Sequence, residues 1–202
     1  MSAKRLLWFG FAATLLFAFG TLGVGLMIPG YSHVRQTVSE LGEVGSPGQV
    51  AFTALLCLVA ACLAIFAVAN ARILRESRQS PLPAYFLGAM AISCAGVGIF
   101  SYPYALHNVF GLSELIGYQA PLAAALVYRK DSRARSVMTF SIVMYIAVLL
   151  TVAINLLAIF RPPDLWTQIK PVFGILQRSL FAAWFIWCAG YALLLIRARR
   201  LR

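Results

Sequence analysis

Two ionisable side chains, Glu114 and Arg178, stand inside long apolar stretches of the sequence and are the first candidates for chemistry. If those stretches cross a membrane, each charge costs about 2.5–3.5 kcal/mol even on a lenient insertion scale, so each needs a partner or a task. Glu114 follows His107 by seven residues, and Arg178 lies about six residues into its own stretch. At 1.5 Å per residue, both lie roughly 9–10 Å below the same surface. The matching depths predict a buried Glu114–Arg178 ion pair.

Further polar side chains fall at the same level and define a candidate site. His107 and Glu114 share one face of a helix, because residues seven apart lie two turns along the same side. Asn155 and Gln177 lie at a similar depth in two other stretches, and the polar segment SHVRQTVSELG (32–42) follows the first stretch. We predict ligand-binding roles for Arg178, Gln177, Asn155, His33, Arg35 and Ser39, and proton transfer by His107, Glu40 or Glu114.

The candidate site contains the residue types of acyl transfer. A histidine near a carboxylate, with Ser39 or Ser113 as the nucleophile, suits that chemistry. No G-x-S-x-G signature accompanies these serines, although such a signature marks one large class of serine hydrolases. The alternative interpretation of His107 is a polar cap at the membrane interface. Both interpretations stay open at the level of sequence.

Metal binding has weaker support. His33, His107, Glu40 and Glu114 are acceptable ligand types, but no H-x-x-x-H or H-E-x-x-H pair fixes two ligands on one helix turn. The cysteines lie in apolar runs without C-x-x-C spacing and are predicted to be small buried apolar side chains; they are Cys57, Cys62, Cys94 and Cys188. We therefore predict no metal site and no cofactor.

The composition places this site in a membrane protein. Hydrophobic residues make up 61% of the 202 residues, charged residues only 11%, and the mean hydropathy is +0.84. Soluble domains carry about 25% charged residues, so a soluble chain of this length would leave too much apolar surface in water. The net charge of +11 lies in short breaks between apolar runs, which indicates contact with an anionic membrane leaflet. Because no aromatic residues are interleaved among the basic ones, the positive charge does not indicate nucleic-acid binding.

Six apolar segments are long enough to span a bilayer about 30 Å thick, and backbone groups in lipid must be paired within helices. The sequence therefore predicts an all-α, polytopic six-transmembrane-helix bundle that forms a single domain over residues 1–202. The first segment is too long for the apolar region of a signal peptide and is read as an uncleaved span. Pro121 predicts a kink in the fourth span. The predicted spans are 6–28, 49–71, 82–100, 107–128, 137–160 and 172–196.

The distribution of lysine and arginine predicts the orientation. Thirteen of these residues lie in the two terminal segments and the breaks at 72–80 and 129–136, against Arg35, Arg161 and Lys170 in the other connections. By the positive-inside rule, both termini are cytoplasmic and the segment 32–42 is on the outer face. Within that segment, Val34, Val38 and Leu41 fall at helical spacing, and Thr37-x-x-Glu40 has the spacing of a capping box, which together predict a short amphipathic helix.

Three stretches resemble a known family. PGYSHVRQTVSELGEVGSPGQVAF, LHNVFG and GILQRSLFAAWFIW are similar to the corresponding parts of domain-of-unknown-function family 998, six-span membrane proteins of bacteria and archaea. A more distant resemblance is to the DRAM-type and GPI-lipid-remodelling membrane proteins. The resemblance implies a location in the inner (plasma) membrane of a prokaryote and a role connected with lipid. It carries functional interest to Ser39, Glu40, Gly42, His107, Gln177, Arg178 and Trp184.

The favoured functional hypothesis is a lipid-handling membrane protein with a polar pocket that opens outward, in the outer half of the bilayer. Arg178 is expected to bind an anionic head group of a lipid or another amphiphile, with Glu114 holding Arg178 in place. The expected partners are membrane lipids and not nucleic acid, while the sequence defines no protein partner. The alternative is a non-catalytic bundle whose outer loop and ion pair serve folding or partner binding. A small transporter is least favoured, because no pair of broken helices is evident.

Overall fold

The computed structural model describes residues 2–198, and this part of the chain is helical with no β-strand. Short 3-10 helices occupy Ser39–Gly42, Ser132–Ala134 and Lys170–Val172. The α-helices are α1 (Ala3–Leu6), α2 (Trp8–Leu26), α3 (Gln49–Glu76), α4 (Leu82–Ile99), α5 (Ala105–Gly117), α6 (Ala120–Tyr128), α7 (Arg135–Phe160), α8 (Pro163–Ile169) and α9 (Phe173–Ala198).

Six segments of the described chain are long and apolar enough to cross a membrane, which confirms the predicted all-α, six-span class. The first span joins α1 and α2, the fourth joins α5 and α6, and the sixth joins α8 and α9. The protein is therefore a multi-pass membrane protein. The segments are Ala3–Leu26, Gln49–Glu76, Leu82–Ile99, Ala105–Tyr128, Ser132–Phe160 and Pro163–Arg197.

The fourth span is broken at the position that the sequence predicts. Its first part, α5, ends at Gly117, and α6 begins at Ala120, one residue before Pro121. Proline has no N–H to donate to the carbonyl four residues earlier, which is that of Gly117. The indole Nε1 of Trp184 donates to this carbonyl instead, at 3.2 Å. The break is therefore satisfied from another helix rather than from within the fourth span.

The spans pack as a closed ring. α3 packs between α2 and α4, and α9 packs between α2 and α7, so that the last span meets the first. The two halves of the broken fourth span behave differently: α6 packs on both α4 and α7, whereas α5 packs chiefly on α4. The kink therefore separates α5 from α7 over half the thickness of the bundle. The cavity described below lies in that gap.

The first loop, between α2 and α3, folds over this end of the bundle. Its helix is a single 3-10 turn, Ser39–Gly42, shorter than an amphipathic helix that would lie in the interface. One half of the predicted capping box is present, because the Glu40 carboxylate accepts from the backbone N–H of Thr37 and also from its hydroxyl. Val38 and Leu41 are buried, whereas Val34 is exposed. Val38 and Leu41 thus point into the bundle, and Val34 does not.

Candidate functional site

A cavity of about 450 Å³ lies beneath the first loop, between α5, α7 and α9. Its walls are mostly apolar and come from all six spans, with Leu56, Met90, Leu156 and Phe181 among them. Five residues that the sequence predicts as site residues line it together with the unpredicted Asn108 and Tyr118: Ser39, His107, Glu114, Asn155 and Gln177. Small-molecule sites are typically apolar clefts of about 300–1,000 Å³ with a few polar groups. The cavity has that character.

Ser39 and His107 form a hydrogen-bonded pair at the loop end of the cavity. His107 is the third residue of α5, and its Nδ1 lies 2.8 Å from the carbonyl oxygen of Phe100, just after the end of α4. Because a carbonyl oxygen can only accept, Nδ1 carries the hydrogen. In the neutral imidazole, Nε2 then accepts from the Ser39 hydroxyl, whose oxygen is 3.0 Å away. His107 is 5% exposed, so this arrangement is fixed by packing as well as by hydrogen bonds.

Glu114 lies deeper in the same cavity, two helical turns below His107. The hydroxyl of Tyr118 donates to its Oε2 at 3.0 Å. The two residues are four apart and therefore share a face of the span. Glu114 is half-buried and lines the cavity, so the carboxyl group is presented to an occupant. The prediction that His107 and Glu114 share one face is consistent with this geometry.

Two amide side chains complete the polar part of the lining. Asn155 Nδ2 donates to the carbonyl oxygens of Thr151, at 2.8 Å, and Leu176, at 3.2 Å, which ties α7 to α9. Gln177 Oε1 accepts from the backbone N–H of Val38 at 2.7 Å, which ties α9 to the first loop. The Asn155 carbonyl and the Gln177 amino group remain for an occupant of the cavity. One offers an acceptor and the other offers donors.

The predicted ion pair between Glu114 and Arg178 is wrong. Within the described residues, Arg178 directs its guanidinium at the first loop: Nη1 donates to the carbonyl oxygens of His33 and Gln36 at 2.8 and 2.7 Å. Nη1 also donates to Gly174, and Nη2 donates to the hydroxyl of Tyr31 at 2.6 Å. Arg178 is not among the residues that line the cavity. Sequence spacing gave the depth of each charge but not the direction in which it faces around its helix.

Three further predicted site residues lie outside the lining of the cavity. The ring of His33 packs against Gly25 of α2 and edge-on against Tyr31, and burial, with a smaller contribution from the Arg178 charge, lowers the pKa of His33. Arg35 is exposed on the loop. Glu40 is engaged by Thr37. The structure thus places His33, Arg35 and Glu40 in the architecture of the loop.

The cavity is bordered on the lipid side by exposed apolar side chains. Leu112 and Leu115 of α5 and Ile159 of α7 line it and are 54%, 39% and 58% exposed. α5 does not pack closely on α7, so these lining side chains are also exposed on the outside of the bundle. Among the described residues, no three His, Cys, Asp or Glu side chains are grouped closely enough to hold a metal ion.

Sequence reasoning missed Asn108 and Tyr118 as parts of the site. Trp184, to which the family resemblance pointed, lines the cavity and holds the broken span through Gly117. A signal for Tyr118 was present in its i+4 spacing from Glu114. Asn108 had the weakest signal, since an exposed asparagine at a helix start is ordinary. The apolar residues of the cavity wall had no signal, because the sequence does not show which apolar residues face a cavity.

These features define a class: a six-span α-helical membrane protein with a mostly apolar cavity that carries a few polar side chains. The chain belongs to the family described as "Protein of unknown function (DUF998)", whose model matches residues 11–194. This confirms the family resemblance noted from the three sequence stretches. No curated protein and no solved structure matched the chain. The more distant resemblance to DRAM-type and GPI-lipid-remodelling proteins stays a prediction.

Proposed function

We propose that this protein binds a lipid-like amphiphile in the cavity between α5, α7 and α9. The observation that carries the proposal is the cavity itself, about 450 Å³ in volume, with apolar walls and a cluster of polar side chains at one end. Its lateral border between α5 and α7 would admit a molecule directly from the bilayer. The hydrocarbon part would lie along Leu56, Met90 and Phe181, and the polar part would meet Ser39, His107 and the two amides.

The polar lining favours an uncharged head region. Among the described residues, no lysine or arginine lines the cavity, and the Arg178 guanidinium that was expected to bind an anion is engaged by the first loop. The groups that are present exchange hydrogen bonds with hydroxyl, ester or amide groups. We therefore propose a neutral glycerolipid or a similar ester-bearing amphiphile, and phosphatidylglycerol serves as the anionic comparison.

The test uses photocrosslinking in lipid nanodiscs with the full chain. Diacylglycerol and phosphatidylglycerol probes, each with a diazirine in one acyl chain, are irradiated and the crosslinked peptides are mapped. We expect diacylglycerol crosslinks in α5 and α7, at lining residues such as Leu112 and Leu156. Gly111→Phe should reduce them by about tenfold or more, because the new ring would occupy space in which a Cβ meets nothing within 4 Å.

Gly23→Phe is the matched control for that substitution. Gly23 is also a helical glycine whose added Cβ meets nothing within 4 Å, but it is exposed on α2 and does not line the cavity. It should leave the crosslinks unchanged. Crosslinks spread evenly over the lipid-facing helices, or equally reduced by both substitutions, would contradict the proposal. Stronger crosslinking of phosphatidylglycerol than of diacylglycerol at these residues would still support lipid binding in the cavity, but it would overturn the proposed preference for a neutral head region.

A further inference from the structure

We propose that Ser39 and His107 form a nucleophile–base pair that transfers the acyl group of an ester-bearing lipid held in the cavity. This inference rests on the proposed function and names its chemistry. The two side chains are 68 residues apart in the sequence, yet the Ser39 hydroxyl oxygen lies 3.0 Å from His107 Nε2. Both line the cavity. A nucleophile within hydrogen-bond distance of a base that a third group orients is the arrangement of serine acyltransferases and hydrolases.

The third group is the carbonyl of Phe100. α4 ends at Ile99, and Phe100 leaves the helix in an extended conformation while its carbonyl oxygen receives the His107 Nδ1 hydrogen at 2.8 Å. This bond fixes the tautomer in which Nε2 carries the lone pair that faces Ser39. The carbonyl groups at the end of α4 also carry the negative end of the helix dipole. They therefore stabilise the imidazolium that forms when His107 takes a proton, which is the task of the aspartate in a serine triad.

The first loop supplies the nucleophile in a constrained position. Ser39 begins the 3-10 turn, in which the Glu40 carboxylate accepts from the hydroxyl of Thr37. The preceding residue, Val38, is buried and donates its N–H to Gln177. The serine is thus held from both sides at the polar end of the cavity. Gln177 accepts this bond through Oε1, which leaves its Nε2 as a donor for an oxyanion that develops next to Ser39.

The reaction balances without a cofactor. Ser39 Oγ attacks the ester carbonyl carbon, and the hydroxyl proton passes to His107 Nε2. The bond from that carbon to the alcohol oxygen then breaks, and the leaving alcohol takes the proton from Nε2. Water, or the hydroxyl of a second lipid, attacks the acyl-Ser39 ester while giving its proton to Nε2. Ser39 leaves with that proton, and the product is a free acid or a new ester.

The test is covalent labelling of the full chain in nanodiscs with a long-chain alkyl fluorophosphonate, which reacts with activated serine hydroxyls. We expect one phosphonylated peptide, with the adduct on Ser39. Ser39→Ala should abolish it, and His107→Gln should slow it by about 10²–10⁴-fold, the usual contribution of a general base. Ser179→Ala is the control, because Ser179 is at the same end of the bundle, bonds to Leu176 and does not line the cavity.

The outcomes separate this inference from lipid binding. Labelling of Ser113 or another serine, or equal rates in the wild type and His107→Gln, would overturn the nucleophile–base assignment. Thermal melting of each variant distinguishes loss of chemistry from loss of fold. If the wild type crosslinks the lipid but never labels at Ser39, the chemistry fails and the binding stands. If Ser39 labels but the lipid never crosslinks, the binding proposal fails instead.

Discussion

At the scale of single residues, Arg178 shows how a charge can be accommodated in an apolar bundle without a carboxylate. Its Nη1 and Nη2 donate to three backbone carbonyls and one phenol. Backbone carbonyls of a loop have no helical partner, so the guanidinium satisfies groups that would otherwise be unpaired in a dry environment. Arg178 therefore anchors the loop that carries Ser39. The ion pair with Glu114 that the sequence predicted is replaced by these contacts with the first loop.

A double-mutant cycle tests this assignment. Arg178→Gln should lower the free energy of unfolding by about 3 kcal/mol, because several charge-assisted hydrogen bonds are lost. Tyr31→Phe should couple to Arg178→Gln by about 1 kcal/mol, since the two side chains are in contact. Glu114→Gln and Arg178→Gln should be additive within about 0.5 kcal/mol. The measurement is unfolding in mixed micelles. Strong coupling between the Arg178 and Glu114 substitutions, with no coupling between Arg178 and Tyr31, would contradict this assignment and support a Glu114–Arg178 ion pair instead.

At the scale of elements, the docking of the first turn of α9 against the first loop positions the site. The backbone N–H of Ile175 donates to Val34 at 3.1 Å, and Gly174 lies directly against the backbone of the loop. A Cβ at Gly174 would lie 2.3 Å from the carbonyl oxygen of Gln36 and 2.8 Å from that of His33. Only glycine permits this approach. The contact holds Val38 next to Gln177 and therefore Ser39 next to His107.

We expect Gly174→Ala to destabilise the protein by about 1–3 kcal/mol, since the clash is with backbone that cannot rotate away. Limited proteolysis should then cleave within residues 31–48 before it cleaves elsewhere. Gly111→Ala is the matched control: its Cβ meets nothing within 4 Å, and alanine in a helix interior is favoured over glycine by about 0.5–1 kcal/mol. Equal melting temperatures for the two variants would show that the loop is not held by this contact.

The elements were predictable from the sequence to a greater extent than their contacts. Long apolar runs identify the spans because lipid forces every backbone group into a helix, and Pro121 locates the break because it lacks a donor. The helix α8 lies between the fifth and sixth spans that the sequence predicts. It begins at Pro163 with Asp164 in its first turn, and the prediction did not use these two helix-start signals. The Ser39–His107 contact depends on how the ring closes and on the path of the loop. No local pattern contains that information.

At the scale of the whole molecule, the closed ring and the single kink together produce the cavity. Each span packs on its neighbours, so an uninterrupted fourth span would be expected to pack on α7 along its full length and leave less space. The same ring places the basic connections between spans at one end of the bundle and the less basic ones at the other. Gln79 and Lys130 line one surface groove, so two basic connections meet at one end, while the first loop and the start of α9 meet at the other. The cavity lies at the less basic end.

The orientation predicted from this charge distribution can be tested with single cysteines in intact cells. Val44→Cys, on an exposed position of the first loop, should react with a membrane-impermeant maleimide added outside, because the less basic end is expected to face outward. Ser80→Cys, exposed in the turn between α3 and α4, should react only after the cells are permeabilised. The native cysteines lie within spans; Cys94 and Cys188 are buried, and Cys57 and Cys62 are half-buried. The parent protein, with only these native cysteines, therefore gives the background level of maleimide labelling. Labelling of Ser80→Cys in intact cells, with Val44→Cys protected, would invert the topology and place the Ser39–His107 pair at the cytoplasmic face.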